Sequence, residues 1–237
     1  MSIHLDSDTL APYCVGFFLL VFVVLLIIAL RLNNKRKKQL TSVANQFNFS
    51  PLAALPPEIM EALKTLYIPS RVTQIKNIYS HLFGDETYYL LDIYSRSSAF
   101  SNEENMETAS LAVHSPHLDL PNFLLYYRVQ APGKLGGWID SLVQNAMMQS
   151  ALRSYQDVPP DFDLKYGLYT PDIEAAARFF TPELLSQIAS IDGIYARGQG
   201  SLLVLTNQAV QKGGALDEAS FTQYLQNARA LCDLFAR

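Results

Sequence analysis

The stretch VHSPHLDLP places His114, His117 and Asp119 within six residues. Two imidazoles and a carboxylate are the donors that zinc, or a two-histidine, one-carboxylate iron site, takes. The spacing works against such a site. Pro116 lies between the histidines, and neither i,i+4 on a helix nor i,i+2 on a strand brings both rings to one side. His81 is the only other candidate ligand in the folded part of the chain. A solvated strand-to-loop connection accounts for the trio, and no metal or cofactor is expected.

Asp92 is the second candidate. In YYLLDIY it alternates with Leu90 and Tyr94 on one face of a strand, while Tyr89, Leu91 and Ile93 take the other. A carboxylate among such neighbours is exposed on the wet side of a sheet, paired with Arg96 or Arg128, or a functional acid. Asp161 and Asp163, with Asp172 and Glu174, supply oxygens for a divalent cation, but the spacing fits no EF-hand loop. Acids near helix starts are accounted for by the helix dipole. Gly198-Gln199-Gly200 lacks the third glycine and following helix of a dinucleotide fingerprint and reads as a hairpin turn. QKGGALDE has no Gly-Lys-Ser/Thr, and the chain contains no GxSxG, HExxH or CxxC. Tyr88, Tyr89, Tyr94, Tyr126 and Tyr127 form either a stacking platform or part of the sheet's packing. No catalytic residue can be assigned.

The elements that must position these groups follow from periodicity. RVTQIKNIYSHLF and ETYYLLDIYSRS read as paired strands around a turn at Gly84-Asp85. ASLAVHS and NFLLYYRVQ are further strands. LPPEIMEALKTLYIP is a short helix starting at Pro57. WIDSLVQNAMMQSALRSY places Trp138, Leu142, Val143, Ala146 and Met147 on one helical face. DVPPDFDLKYGLYT reads as a loop leading into a strand. Thr170-Pro171-Asp172 and Thr181-Pro182-Glu183 each offer a capping hydroxyl, proline at the first helical position and an early acid. GIYARGQGSLLVLT is a hairpin. The last helix puts Phe221, Tyr224, Leu225, Ala228, Leu231, Cys232 and Phe235 on one face.

Ahead of all this, Tyr13 to Leu30 is an uncharged run of 18 residues, 14 of them Val, Ile, Leu or Phe. As a helix it would span about 27 Å, close to the hydrocarbon core of a bilayer. Asp6 and Asp8 precede the run, and Arg31, Lys35, Arg36, Lys37 and Lys38 follow it. A cleaved signal has the reverse order of charges. The expectation is one span, N-out and C-in, in a bacterial inner membrane, with the basic cluster on the cytoplasmic surface. Removing those five cations from the 18 Lys and Arg leaves 13, against 20 of the 22 Asp and Glu, so the remainder is net −7. Such a domain has no electrostatic footprint for nucleic acid. Cys14 and Cys232 fall in different environments and do not pair.

The fold class expected is α+β: an N-terminal single transmembrane helix followed by a largely antiparallel sheet packed with helices. Residues 1–11 are a short extracytoplasmic tail, 12–31 the span, 32–69 a basic juxtamembrane helical segment, and 70–237 a cytoplasmic domain.

The order YYLLDIYSR, ETASLAVHSPHLDLPNFLLYYR, PPDFDLKYGLYTPDIEAAARFFTPELLSQIAS and GIYARGQGSLLVL resembles an uncharacterised group of bacterial single-pass membrane proteins. The resemblance covers residues 77 to 206. Asp92, Tyr94, Thr108, Leu120, Pro121, Phe123, Phe179, Phe180, Pro182 and Glu183 carry it. Tyr126 and Tyr127 stand where the group's pattern has Pro-Glu. The resemblance implies an architecture and no activity. Three functions remain open: a non-catalytic adaptor or assembly protein contacting lipid through residues 12–38 and a protein partner; a membrane-tethered enzyme using Asp92 or the His114/His117/Asp119 group; and a sensor of a small ligand.

Overall fold

The computed structural model describes residues 20–24, 37–67, 71–96, 104–128, 152–207 and 217–236. The chain divides into two units, residues 1–42 and 43–237. In the first unit, residues 20–24 and 37–42 are helical, and the Thr41 hydroxyl donates to the Lys37 carbonyl at 2.8 Å. The expected transmembrane helix is corrected here, and with it the single-pass membrane architecture. Among the described residues no helix is long and apolar enough to cross a membrane. Lys37 and Lys38 are exposed, while Arg31, Lys35, Arg36 and the rest of the 12–31 span lie outside the described residues.

The second unit is α+β. Its first helical residues, 43–46, end where Asn48 turns left-handed, at φ 59. The Phe49 N–H reaches back to the Ala44 carbonyl at 2.8 Å, and the Asn48 N–H to that of Asn45 at 3.2 Å. These are the two bonds of a Schellman stop, at a position where asparagine is tolerated. There follow β1 (Ser50–Pro51), α1 (Pro57–Leu66), β2 (Arg71–Phe83), β3 (Glu86–Arg96), β4 (Glu104–His114), β5 (Leu120–Tyr127), β6 (Arg153–Ser154), α2 (Pro160–Lys165) and β7 (Tyr166–Thr170). The order ends with α3 (Ile173–Phe179), α4 (Pro182–Ala189), β8 (Ile194–Gly200), β9 (Leu202–Asn207) and α5 (Glu218–Phe235). The expected helix around Trp138 lies outside the described residues.

Among the described residues, nine strands form one sheet in the order β1-β2-β3-β4-β9-β8-β5-β7-β6, every pair antiparallel. The β2–β3 and β8–β9 hairpins each leave two residues unpaired, Gly84-Asp85 and Gly200-Ser201. Gly84 and Gly200 lead these loops at φ 64 and φ 55, the positive φ that tight hairpins need and that glycine supplies without a steric cost. α1 lays Ile59, Leu63, Leu66 and Tyr67 on a face built from Tyr89, Leu91, Ile93, Ala112, Leu202 and Val204. Strand alternation turns Leu90, Leu111, Val113, Leu203 and Leu205 the other way, and these are buried too. α5 covers that second face. A sheet sheltered on both sides explains why residues 88–93 are buried without interruption rather than alternately.

Tyr224 of α5 shows how closely the helix is seated. Its hydroxyl accepts the Leu111 N–H at 3.1 Å and donates to the Leu205 carbonyl. Leu111 and Leu205 are register partners at the end of the β4–β9 ladder, so the phenol relays a bond the strands would otherwise make directly. Tyr224→Phe is expected to lower unfolding free energy by about 1–3 kcal/mol, the cost of orphaning buried polar groups. Urea titration measures it, and an unchanged midpoint would mean the two strands close without the hydroxyl.

Two helix starts differ from the pattern read in the sequence. Thr181 caps α4, accepting from the Leu184 N–H at 3.3 Å with Pro182 behind it, as expected. At α3 the cap is Asp172, which accepts from the Ala175 N–H at 3.0 Å. Thr170 is drawn away because its hydroxyl donates to the Asn122 carbonyl on β5 at 2.8 Å. PPDFDLK, read as loop, is the short helix α2, with Pro160 at its start and two acids in its first turn.

Candidate functional site

Asp92 is only 1% exposed. Its Oδ1 accepts the Ala109 N–H at 2.8 Å, and its Oδ2 accepts from Asn77 Nδ2 at 2.7 Å. Of the two partners considered from sequence, Arg128 makes neither bond, and the Arg96 side chain lies outside what is described. Arg128 instead donates to the Asp163 carboxylate at 2.6 Å and the Tyr166 carbonyl at 3.0 Å. The donors to Asp92 come from irregularities in both neighbouring strands. Lys76 pairs with Asp92 and Tyr79 with Leu90, so β2 carries one extra residue there. Leu91 pairs with Ser110 and Ile93 with Glu107, so β4 carries one too. Asn77 and Ala109 are the bulged residues with left-handed backbones, each at φ 50. The carboxyl group fills the gap between two bulges and is shielded from solvent.

The histidine trio is not assembled. Ser115-Pro116-His117-Leu118 is a turn: the Leu118 N–H reaches the Ser115 carbonyl at 3.3 Å, with proline in the position that such turns favour. His114 stays on β4 in register with Leu202 and Thr87, Asp119 is exposed, and His117 points to the β2–β3 hairpin. Its Nε2 lies 2.5 Å from Asp85 Oδ2. His81 donates through Nδ1 to the Asn48 carbonyl at 2.7 Å, bracing the helix stop described above. Among the described residues, no group of three or more His, Cys, Asp or Glu side chains is placed to hold a metal ion.

The hydrogen bond from His117 holds the Asp85 carboxyl below its ordinary 3.8, and a backbone bond adds to it. A lowered carboxyl value stabilises the fold above pH 3.8 and loses that stabilisation as pH falls through the folded value. Both side chains are well exposed, 59% and 60%, which limits what the pair contributes. His117→Ala is therefore expected to leave the Tm at pH 7 unchanged within error. Any small difference from the parent should close as pH falls below 3.8, where the Asp85 carboxyl takes up its proton.

The remaining carboxylates have separate structural tasks. Asp163 pairs with Arg128, Asp161 accepts from the Ser186 hydroxyl at 3.4 Å, and Asp172 caps α3. The five tyrosines do not share a platform. Tyr88 and Tyr89 are buried on opposite faces, Tyr94 lies under the Lys76 ammonium at 4.7 Å, Tyr126 meets Tyr195, and Tyr127 meets Tyr166. A group that sequence reasoning missed is Arg197 on β8. Its guanidinium lies 4.6 Å from the Tyr67 ring and 5.6 Å from that of Tyr195, and it donates to the Tyr195 hydroxyl at 2.9 Å. The i,i+2 spacing in IYARG was a signal for the Tyr195 contact. Nothing local pointed to Tyr67.

Cys232 lies buried on the inner face of α5. Burial pushes its thiol up to about 12, with the charges of Glu86 and Asp233 adding to the shift. The thiolate is the reactive form, so at pH 8 this cysteine should be inert in the folded chain. In a Cys14→Ser variant, a thiol reagent is expected to label Cys232 only as fast as denaturant opens α5. Rapid stoichiometric labelling without denaturant would show that the helix leaves the sheet.

No family model and no curated protein matches this chain. The crystal structure of the mycobacterial trehalose monomycolate transport factor A aligns with 84% of this chain and 93% of its own, at 10% identity and a TM-score of 0.49. A likeness of that size carries no argument about what this chain does.

Proposed function

We propose that this chain works by holding a protein partner rather than by converting a substrate. The observation that supports the reading is the state of Asp92. Among the described residues it is the one carboxyl group buried in the sheet, and it spends both oxygens on donors from the two adjacent bulges. Three other groups with catalytic chemistry are occupied in the same way: His81 on a helix stop, His117 on a hairpin, and Asp172 on a helix cap. The test combines two measurements on the full chain. In-cell cross-linking followed by mass spectrometry should return one partner that also binds the purified chain at defined stoichiometry. Incubation with a metabolite extract should leave every metabolite unchanged with time. A metabolite consumed in proportion to protein concentration, with the activity lost on unfolding, would overturn the reading.

A further inference from the structure

Beyond Asp92 the three strands β2, β3 and β4 continue as an arm made of residues 71–76, 93–96 and 104–107, paired from Ile75, Ile93 and Glu107 outward to Arg71, Arg96 and Glu104, with one further irregularity in β2 between Val72 and Gln74. Among the described residues this arm has no strand on either flank. β1 pairs β2 only at Tyr79 and Ser80, and β9 pairs β4 only from Leu111 to His114. We propose that Asp92 is a pin that fixes the direction in which this arm leaves the sheet, by holding bulges on both sides of β3 at once.

A single bulge bends one strand against its partner and sharpens the local twist. Here the two bulges stand at the same level, one on each side of Asp92, so the bend runs across all three strands. Each bulge turns on a left-handed residue that is not glycine. Asparagine tolerates that conformation because its short polar side chain bonds locally, and Asn77 uses its amide to reach Asp92. Alanine has no such side chain. The left-handed backbone of Ala109 must be held from outside, and its N–H is held by Asp92 Oδ1. The carboxyl group therefore maintains a conformation that Ala109 would leave if released. This pin is independent of the partner proposed above.

Hydrogen exchange on the full chain tests it. Asp92→Ala is expected to speed exchange in residues 71–76, 93–96 and 104–109 by about tenfold or more, with residues 194–207 of β8 and β9 unchanged. Faster exchange spread evenly over the sheet, or no change in the arm, would overturn the proposal. Ala109→Gly, which keeps every bond, should slow arm exchange alone by about twofold to fivefold, because glycine adopts the left-handed region freely. That variant decides the matter by itself if Asp92→Ala does not fold, and an arm no slower than in the parent chain would count against the pin. With glycine at 109, the arm-specific effect of Asp92→Ala should shrink by a factor of about five or more. An equal effect in both backgrounds would show that Asp92 does not hold Ala109 in place.

Discussion

Phe235→Ala is expected to lower unfolding free energy by about 3–5 kcal/mol, the range for removing a buried aromatic ring. Phe235, on the last turn of α5, is 2% exposed. Its ring meets Phe123 at 5.7 Å, Phe179 at 5.6 Å and Phe180 at 6.2 Å between centroids. Three elements, β5, α3 and the chain just before α4, thus converge on one side chain. Truncation leaves a cavity that none of them can fill, since Phe123 and Phe180 are already edge-on to each other at 5.1 Å. Aromatic edges add something beyond buried area. Equilibrium unfolding in urea measures the loss, and a change below about 1 kcal/mol would mean that this turn is not docked. Phe235→Leu should recover part of the loss, because it refills part of the volume.

Gly198→Ala is expected to cost about 3 kcal/mol, the upper end for adding a methyl to a packed core. A Cβ built on Gly198 would lie 2.3 Å from Phe123 Cε1 and 2.8 Å from Leu120 Cδ1. Its backbone is not left-handed, so the requirement is for space alone. The obstructing ring cannot retreat, because Phe123 is wedged against Phe180 and Phe235. Combining Gly198→Ala with Phe123→Leu removes the closest contact and leaves that with Leu120 Cδ1. The double variant should therefore be more stable than the sum of the two single losses predicts, by about 1 kcal/mol or more. Strict additivity would show that the two sites do not touch.

Much of the fold was legible because its signals are local. The Gly84-Asp85 turn, the Thr181-Pro182-Glu183 helix start and the apolar face of α5 each depend on residues within a few positions of one another, whereas the turn read at Gly198-Gln199-Gly200 falls two residues later, at Gly200-Ser201. Phe123 on β5, and Phe179 and Phe180 at the end of α3, share one aromatic cluster with Phe235 that no local pattern announced. The helix start at Thr170 was misread for a reason outside its own segment: a carbonyl on β5 competes for the hydroxyl. The span over 12–31 was read from hydropathy and charge order alone, and among the described residues no helix is long and apolar enough to cross a membrane.

The sequence by itself determined the α+β class, the antiparallel hairpins, the starts of α1 and α4 and the inward face of the last helix. Period, capping and turn chemistry act over two to seven residues and need no distant partner. Only the tertiary structure decided what Asp92 does. The side chain looked the same from sequence whether exposed, paired or functional, because its donors arrive from Asn77 on one flanking strand and Ala109 on the other. The same holds for Arg197 against Tyr67 and for Gly198 beneath Phe123. Each depends on which strands lie side by side, and strand order is set by the packing of both sheet faces rather than by any short stretch of chain.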